Sequence, residues 1–339
     1  MQHTPYRIEI DDRDITSTVA PLLISLTINL KDGGASDKAD LTLDDRNGAI
    51  VFPREGATFK SWIRGVEVFR GKVTEARSNG GRGDGRTLRI SADGVDTKGK
   101  AKQPQQKHFD NKSIEAILKE AGKEAGVTTV TVDKEIGAIT LPYEAMDGES
   151  FMSLGQRLAE AHGGTFSISD GRAALVKRSG GKSASGKALV EIVAAWGVNL
   201  IRWDIAPYAG RARYKKAKQR WYDKKEAKWK EVETEVEDPD AAATHTSRHP
   251  AGDEASAKKR TESDKATAER EKGGGTIEID GNEYAQPEAP VRLVGARPGA
   301  DGSYKASGVT HNLTRSGFST SLEVKHPSGA AGKDSRAKK

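Results

Sequence analysis

The chain has 339 residues, no cysteine and a formal net charge of +6, which excludes disulfides and thiolate metal centres and leads us to expect two or three domains. Only 35% of residues are apolar while 31% are charged and 37 are Gly, so one large core is excluded in favour of several small ones, or of surfaces covered on assembly. No apolar run approaches the roughly 18 residues of a membrane span, and MQHTPYRIEI lacks a signal-peptide core, so a soluble product made and used in the cytosol is expected.

Tyr6 to Ile10 alternates as a short strand, and the stretch Asp11 to Asp14 turns it. Leu22 to Leu30 and Ala39 to Leu43 read as strands joined by Lys31-Asp32-Gly33-Gly34-Ala35-Ser36, where adjacent glycines supply positive φ. Thr58 to Ile63 and Gly65 to Phe69 follow, then a hairpin across Phe69 to Gly94, so residues 1–98 are expected to form a small β-barrel or sandwich.

Lys98 to Gln106 is polar and contains Pro, which reads as a linker. Beyond it the period lengthens. Ser113 is a candidate N-cap for a helix whose inner face is Ile114, Ile117, Leu118, Ala121 and Ala125, with Gly126 at the left-handed stop. Thr129 to Val132 is a strand, a second helix runs over 149–162 to Gly163-Gly164, and a hairpin turns at Asp170-Gly171. Gly155 inside that second helix points to close packing or to a tolerated glycine. Residues 99–187 thus read as a small α+β domain with flanking linkers, the exit being Arg178 to Lys187.

A second β-module is expected over 188–326. It includes a strand at Asn199 to Ile205, a charged helix over 254–272 lying on a surface or against a neighbour, and Gly273-Gly274-Gly275 as that helix's stop. Thr276 to Ile279 is a strand, Pro290 to Val294 leads into a closing hairpin across Tyr304 to Val324, and 327–339 is expected to be a mobile tail. The closing hairpin echoes the earlier one. Gly71-Lys72-Val73-Thr74 lines up with Gly308-Val309-Thr310, and Thr87-Leu88-Arg89-Ile90 with Thr320 to Val324, which suggests one β-module present twice. Two copies per chain let a trimer present six similar modules around one axis.

Chemical motifs are sparse. His245 and His249 stand four apart, but Pro250 and polar neighbours argue for a loop, and two ligands are too few for a metal. Gly181-Lys182-Ser183 ends like a phosphate loop without the first Gly or a strand-loop-helix frame, and Arg82-Gly83-Asp84 is a set of good turn formers. No carboxylate pair stands out as an acid and base, and no cofactor is expected. The contested stretch is Arg211 to Lys230, with ten Lys or Arg interleaved with aromatics and read as two strands around Asp223-Lys224-Lys225. Lys215, Lys216, Trp221, Lys224, Lys225 and Trp229 are its candidate contact residues. They could stack and neutralise a single-stranded nucleic acid, meet a partner or neighbouring subunit, or form a solvated face on a barrel blunted by the acidic run Glu231 to Asp240.

The order of these elements resembles the late control D proteins of tailed phages, the hubs of contractile-tail baseplates, and more distantly the N-terminal half of type VI secretion spike proteins. The likeness runs from the Leu22 to Leu43 hairpin, through Ser150-Phe151-Met152-Ser153-Leu154, Leu158-Ala159 and Gly163-Gly164, to Gly308-Val309-Thr310-His311. It implies a mainly β fold with an α+β insertion, two tube-like β-barrel modules flanking the small domain, and a homotrimeric ring without catalysis. Such a ring joins a hexameric tail tube to a trimeric spike, touches other baseplate proteins, can meet DNA passing through its lumen, and sits at the tail baseplate of a phage or tail-derived bacteriocin after assembly in the bacterial cytoplasm. The lysine-rich hairpin departs from the family's pattern. The runner-up is a free-standing nucleic-acid-binding protein acting through residues 211–230, and a third reading is a cell-wall hydrolase module.

Overall fold

Period-two alternation builds most of this molecule: Leu26 and Ile28 alternate with Thr27 and Asn29, Leu41 and Leu43 with Thr42, so each strand buries one face. The computed structural model describes residues 4–33, 37–83, 85–94, 99–169, 171–178, 180–181, 188–207, 214–236, 241–248 and 250–326. Asp84, Asp170, Lys182, Ser183, His249 and the expected tail 327–339 lie outside the described residues.

The N-terminal segment forms β1 (Tyr6–Ile10), β2 (Arg13–Asp14), the one-turn helix α1 (Thr16–Val19), β3 (Leu23–Lys31), β4 (Lys38–Asp44), β5 (Thr58–Ile63), β6 (Val66–Gly81) and β7 (Gly85–Asp93). The expected strand at 65–69 and the first hairpin arm are one continuous strand of 16 residues. The central segment forms β8 (Gln105–Ser113), α2 (Ile114–Glu124), β9 (Thr129–Val132), α3 (Lys134–Gly137), β10 (Thr140–Glu149), α4 (Phe151–Ala161), β11 (Gly164–Ser169) and β12 (Arg172–Lys177). The rest forms β13 (Ile192–Ala195), β14 (Leu200–Ala206), β15 (Lys216–Asp223), β16 (Lys228–Glu235), β17 (Thr244–Thr246), α5 (Glu254–Arg270), β18 (Gly274–Asp280), β19 (Pro290–Val294), β20 (Gly302–Thr314) and β21 (Gly317–Lys325).

The fold is mainly β, and the two flanking segments repeat one strand order. In the first, hydrogen-bonded neighbours run β3-β4-β7-β6-β5-β1; in the second, β14-β18-β21-β20-β19-β13. Reading each set in chain order, both are second, third, sixth, fifth, fourth, first. Even the irregularities recur. A bulge between Leu23 and Ser25 matches one between Leu200 and Arg202, and a bulge between Val73 and Glu75 matches one between Ala306 and Gly308. The sets differ at their first strands, since β1 joins β5 antiparallel but β13 joins β19 parallel. The bulges also correct the sequence alignment: Gly308 is the equivalent of Glu75, not of Gly71, and Leu88, Ile90 and Ala92 correspond to Thr320, Leu322 and Val324.

β20 also pairs with β3, which fuses the two sets into one 13-stranded sheet. Leu313 and Phe318 accordingly close the core of the first set, beside Leu26, Leu41 and Phe59, while Ile277, Val291, Tyr304 and Leu322 belong to a core of the second. The central segment has its own core, where α2 and α4 lie against β9, β11 and β12. The first helix begins as its sequence predicts, Ser113 accepting from the Ala116 N–H, while the second begins at Phe151 rather than at 149, capped by Ser150, which accepts from the Ser153 N–H. Gly155 is a packing glycine: a Cβ there would overlap the Phe166 ring.

Two expectations fail here. Residues 105–106 are not linker but open β8, which pairs with β10 to make a two-stranded sheet. Neither strand was read from sequence, because between them only Phe109, Leu141 and Met146 are buried and the rest is polar. Gly274 and Gly275 do not stop the charged helix. α5 ends at Arg270, and these glycines begin β18, where a Cβ would run into the backbone of Val324 or Asp204.

Candidate partner-contact site

The basic stretch folds as two strands around a turn, since Lys216 to Asp223 alternates and Asp223 caps the reversal by accepting from the Lys225 and Glu226 N–H groups. β15 pairs antiparallel with β16 and parallel with β17. This small sheet is separate from the large one, and α5, not a barrel, covers it. α5 is therefore not merely a surface helix. Its inner face buries Ala257, Thr261 and Ser263 against the sheet and α4, with Thr261 accepting from Thr234 (2.7 Å) and Ser263 donating to the Glu160 carbonyl (2.8 Å).

The candidate residues part into two groups. Lys216 pairs with Glu233 at 3.0 Å, and Lys218 beside it with Glu231 at 2.5 Å, so the acidic half of the hairpin neutralises the basic half across the strands. Trp221 is half-buried with the Lys230 ammonium 5.6 Å from its ring centre, and Lys230 is itself held by Asp223 and Glu226. Those carboxylates push the lysine up to about 12. Lys215, Lys224, Lys225 and Trp229 are exposed, and Trp229 packs edge-on against Tyr222 with ring centres 5.3 Å apart. The outward chemistry is thus one aromatic pair with the lysines Lys224 and Lys225 at the turn, and Lys215 at the opposite end of β15.

α5 is fixed at its far end by a buried ionic junction that the sequence did not announce. Arg270, 6% exposed, meets Asp32 of the β3–β4 connection at 2.6 Å and Glu288 at 3.1 Å, so one guanidinium ties the helix to both strand sets. Burial works to raise Asp32, but a hydrogen bond with Glu288 and the charge of Arg270 outweigh it and hold the carboxyl below its ordinary range. Between α4, β10 and the small sheet lies a cleft of about 810 Å³ lined by Tyr143, Arg157, His162, Arg248 and Arg260. Burial and the charges of Lys259 and Arg260 push His162 down to about 4, so it is neutral at pH 7. His245 stacks on Tyr214 with ring centres 4.9 Å apart. Among the described residues no cluster of three potential metal ligands occurs, and no helix is long and apolar enough to cross a membrane.

No family model matches the chain. It is 26% identical over 364 aligned positions to the "Probable baseplate hub protein" of Escherichia phage 186, covering 94% of this chain and 92% of that protein. The protein of the same description from Escherichia phage P2 is 27% identical over 190 residues, 55% of this chain and 49% of that one. The chain is thus similar over nearly its whole length to a phage baseplate hub protein. Solved structures agree on the fold of this hub homologue. A 43 kDa tail protein of prophage MuSo2 from Shewanella oneidensis superposes with a TM-score of 0.73 at 16% identity, over 95% of this chain and 98% of that one. A tail protein from Neisseria meningitidis MC58 gives 0.72 at 16% identity, over 96% and 97%. The E. coli c3393 protein, described as a component of the type VI secretion system, gives 0.60 at 10% identity, over 96% and 78%.

Proposed function

We propose that this chain is the structural hub of a contractile tail, in a phage or a tail-derived particle, and that three copies form a ring joining the sixfold tail tube to the threefold spike, without catalysis. The observation that carries this reading is the internal repeat: two strand sets with one strand order and two matched bulges in a single chain. Three such chains offer six similar modules around one axis on the tube side. The central segment and the small sheet under α5 occur once per chain and so keep threefold symmetry for the spike side. On this reading residues 1–98 and 188–326 are the two tube modules and 99–187 the domain between them. Assembly takes place in the bacterial cytoplasm before the particle is released. Of the hairpin residues, Lys215, Lys224, Lys225 and Trp229 meet an acidic neighbour in the baseplate, whereas Lys216 and Trp221 hold the hairpin's own shape.

The test is microscopy of induced particles. Antibody against this chain should decorate the distal tip of the tail, and deleting its gene should yield no complete tails. Label along the sheath or on the capsid, or normal tails without the gene, would contradict the reading.

A further inference from the structure

The cleft beside the lysine-rich sheet takes its walls from two separate units. On one side runs β17 with the chain beyond it, as far as Gly252; on the other stand Leu141 to Glu144 of β10 and one face of α4. The units touch next to it, where Ser263 of α5 donates to the Glu160 carbonyl of α4. A volume of about 810 Å³ falls inside the range of binding sites, roughly 300–1,000 Å³.

Both walls contain strands that are hydrogen-bonded on one side. β17 pairs with β15 and, among the described residues, with no other strand, and its Thr244, His245 and Thr246 are all exposed. β10 likewise pairs with β8 alone, but its stretch in the cleft contains Pro142, which has no N–H to give. Backbone hydrogen bonds to a visiting strand therefore fall to β17, and β10 contributes side chains. β17 is also held ready. Ser247 donates to Asp264 of α5 at 3.1 Å, His245 lies 3.9 Å from the same carboxylate, and Tyr214, stacked on His245, donates to the Asp264 carbonyl at 2.9 Å.

Charge decides what kind of strand fits. Arg248 is exposed, with no carboxylate partner among the described residues, and Arg260 lies 3.4 Å from an Asp264 that it shares with Ser247 and His245. Of the carboxylates in the lining, Glu144 is bound by Arg157 at 2.5 Å, which leaves Glu160 to set against the two other arginines. The field is positive: at His162 the charges of Lys259 and Arg260 outweigh that of Asp253. Tyr143, 62% exposed, and Leu158 offer an apolar seat, and the buried Nδ1 of His162 has no hydrogen-bond partner among the described residues. A strand alternating apolar and acidic residues meets all of these features, whereas the chain's own C-terminal sequence, with Lys333, Arg336, Lys338 and Lys339, carries the wrong charge.

We propose that the cleft takes an extended acidic segment of a different protein, laid as an added strand on β17, with carboxylates towards Arg248 and Arg260 and an apolar side chain between Tyr143 and Leu158. The site is complete within one chain and does not depend on the ring.

A displayed library of random dodecapeptides, panned on the purified full chain, supplies the probe. Enriched sequences should alternate Asp or Glu with apolar residues. A synthetic copy of the best of them should bind Arg248→Glu roughly tenfold more weakly by fluorescence anisotropy, through a lost charge-assisted hydrogen bond, and replacing its acidic residues by Lys should reverse that preference. Arg248 is exposed, so the variant keeps its fold. With Tyr143 replaced by the photoreactive p-benzoylphenylalanine, illumination should join the chain to the peptide. No enrichment, enrichment without acidic residues, equal affinity for the Arg248→Glu chain, or cross-linking from position 143 to a second copy instead of the peptide would each overturn the proposal.

Discussion

His311 shows how one side chain can couple the fold to pH. It sits in β20, 1% exposed, with Nδ1 3.3 Å from Thr320 Oγ1. Burial pushes it from the ordinary 6.5 down to about 4, partly opposed by a backbone hydrogen bond at Ala285 and the charge of Glu283. The unfolded chain binds this proton more readily than the native one. Stability is therefore fully present above pH 6.5 and lost as pH falls towards 4, by roughly 3 kcal/mol for this residue. Urea melts at pH 7, 5.5 and 4 should reveal that decline, and His311→Phe should flatten it. An unchanged acid slope in the variant would place the titration elsewhere. His162 and His326, both depressed by burial, would be the next residues to test.

At the scale of the element, the basic hairpin separates charges that hold a sheet together from charges that face outward. Replacing Lys224 and Lys225 by Ser should leave the melting temperature within the small spread of surface substitutions, while weakening capture of an acidic baseplate partner. Lys218→Ser removes contacts to Glu231 and Glu233 that solvent screens, so it should cost little stability and leave partner binding intact. Equal losses of binding in both variants, measured by titration calorimetry, would assign the contact to the strands rather than to the turn. This division was only half legible in the sequence. The interleaving of Lys with Trp and Tyr is plain from 211 to 230, but the pairing of Lys216 with Glu233 is a matter of strand register, and α5 has no apolar stripe to reveal that it covers the sheet. The helices of the central segment were legible because apolar periodicity marks both and a Ser cap the first, whereas β8 and β10 were hidden by their polar faces. The repeat was visible as an echo of two hairpins, and its true register depended on bulges at Thr74 and Ser307 that no local pattern announces.

At the scale of the molecule, a chain with few apolar residues stabilises three modest cores by making its strands serve more than one of them. Leu313 and Phe318 leave their own strand set to close the neighbouring core, and Arg270 ties α5 to both. A module present twice in one chain is what the proposed ring would use, since three copies would offer six similar modules about one axis. The measurement that tests this most directly is the mass of the purified protein by light scattering, at low and high salt, alone and with the spike protein added. Three chains of 36.4 kDa predict a particle of about 109 kDa, and a 36.4 kDa monomer persisting in every condition would contradict the ring.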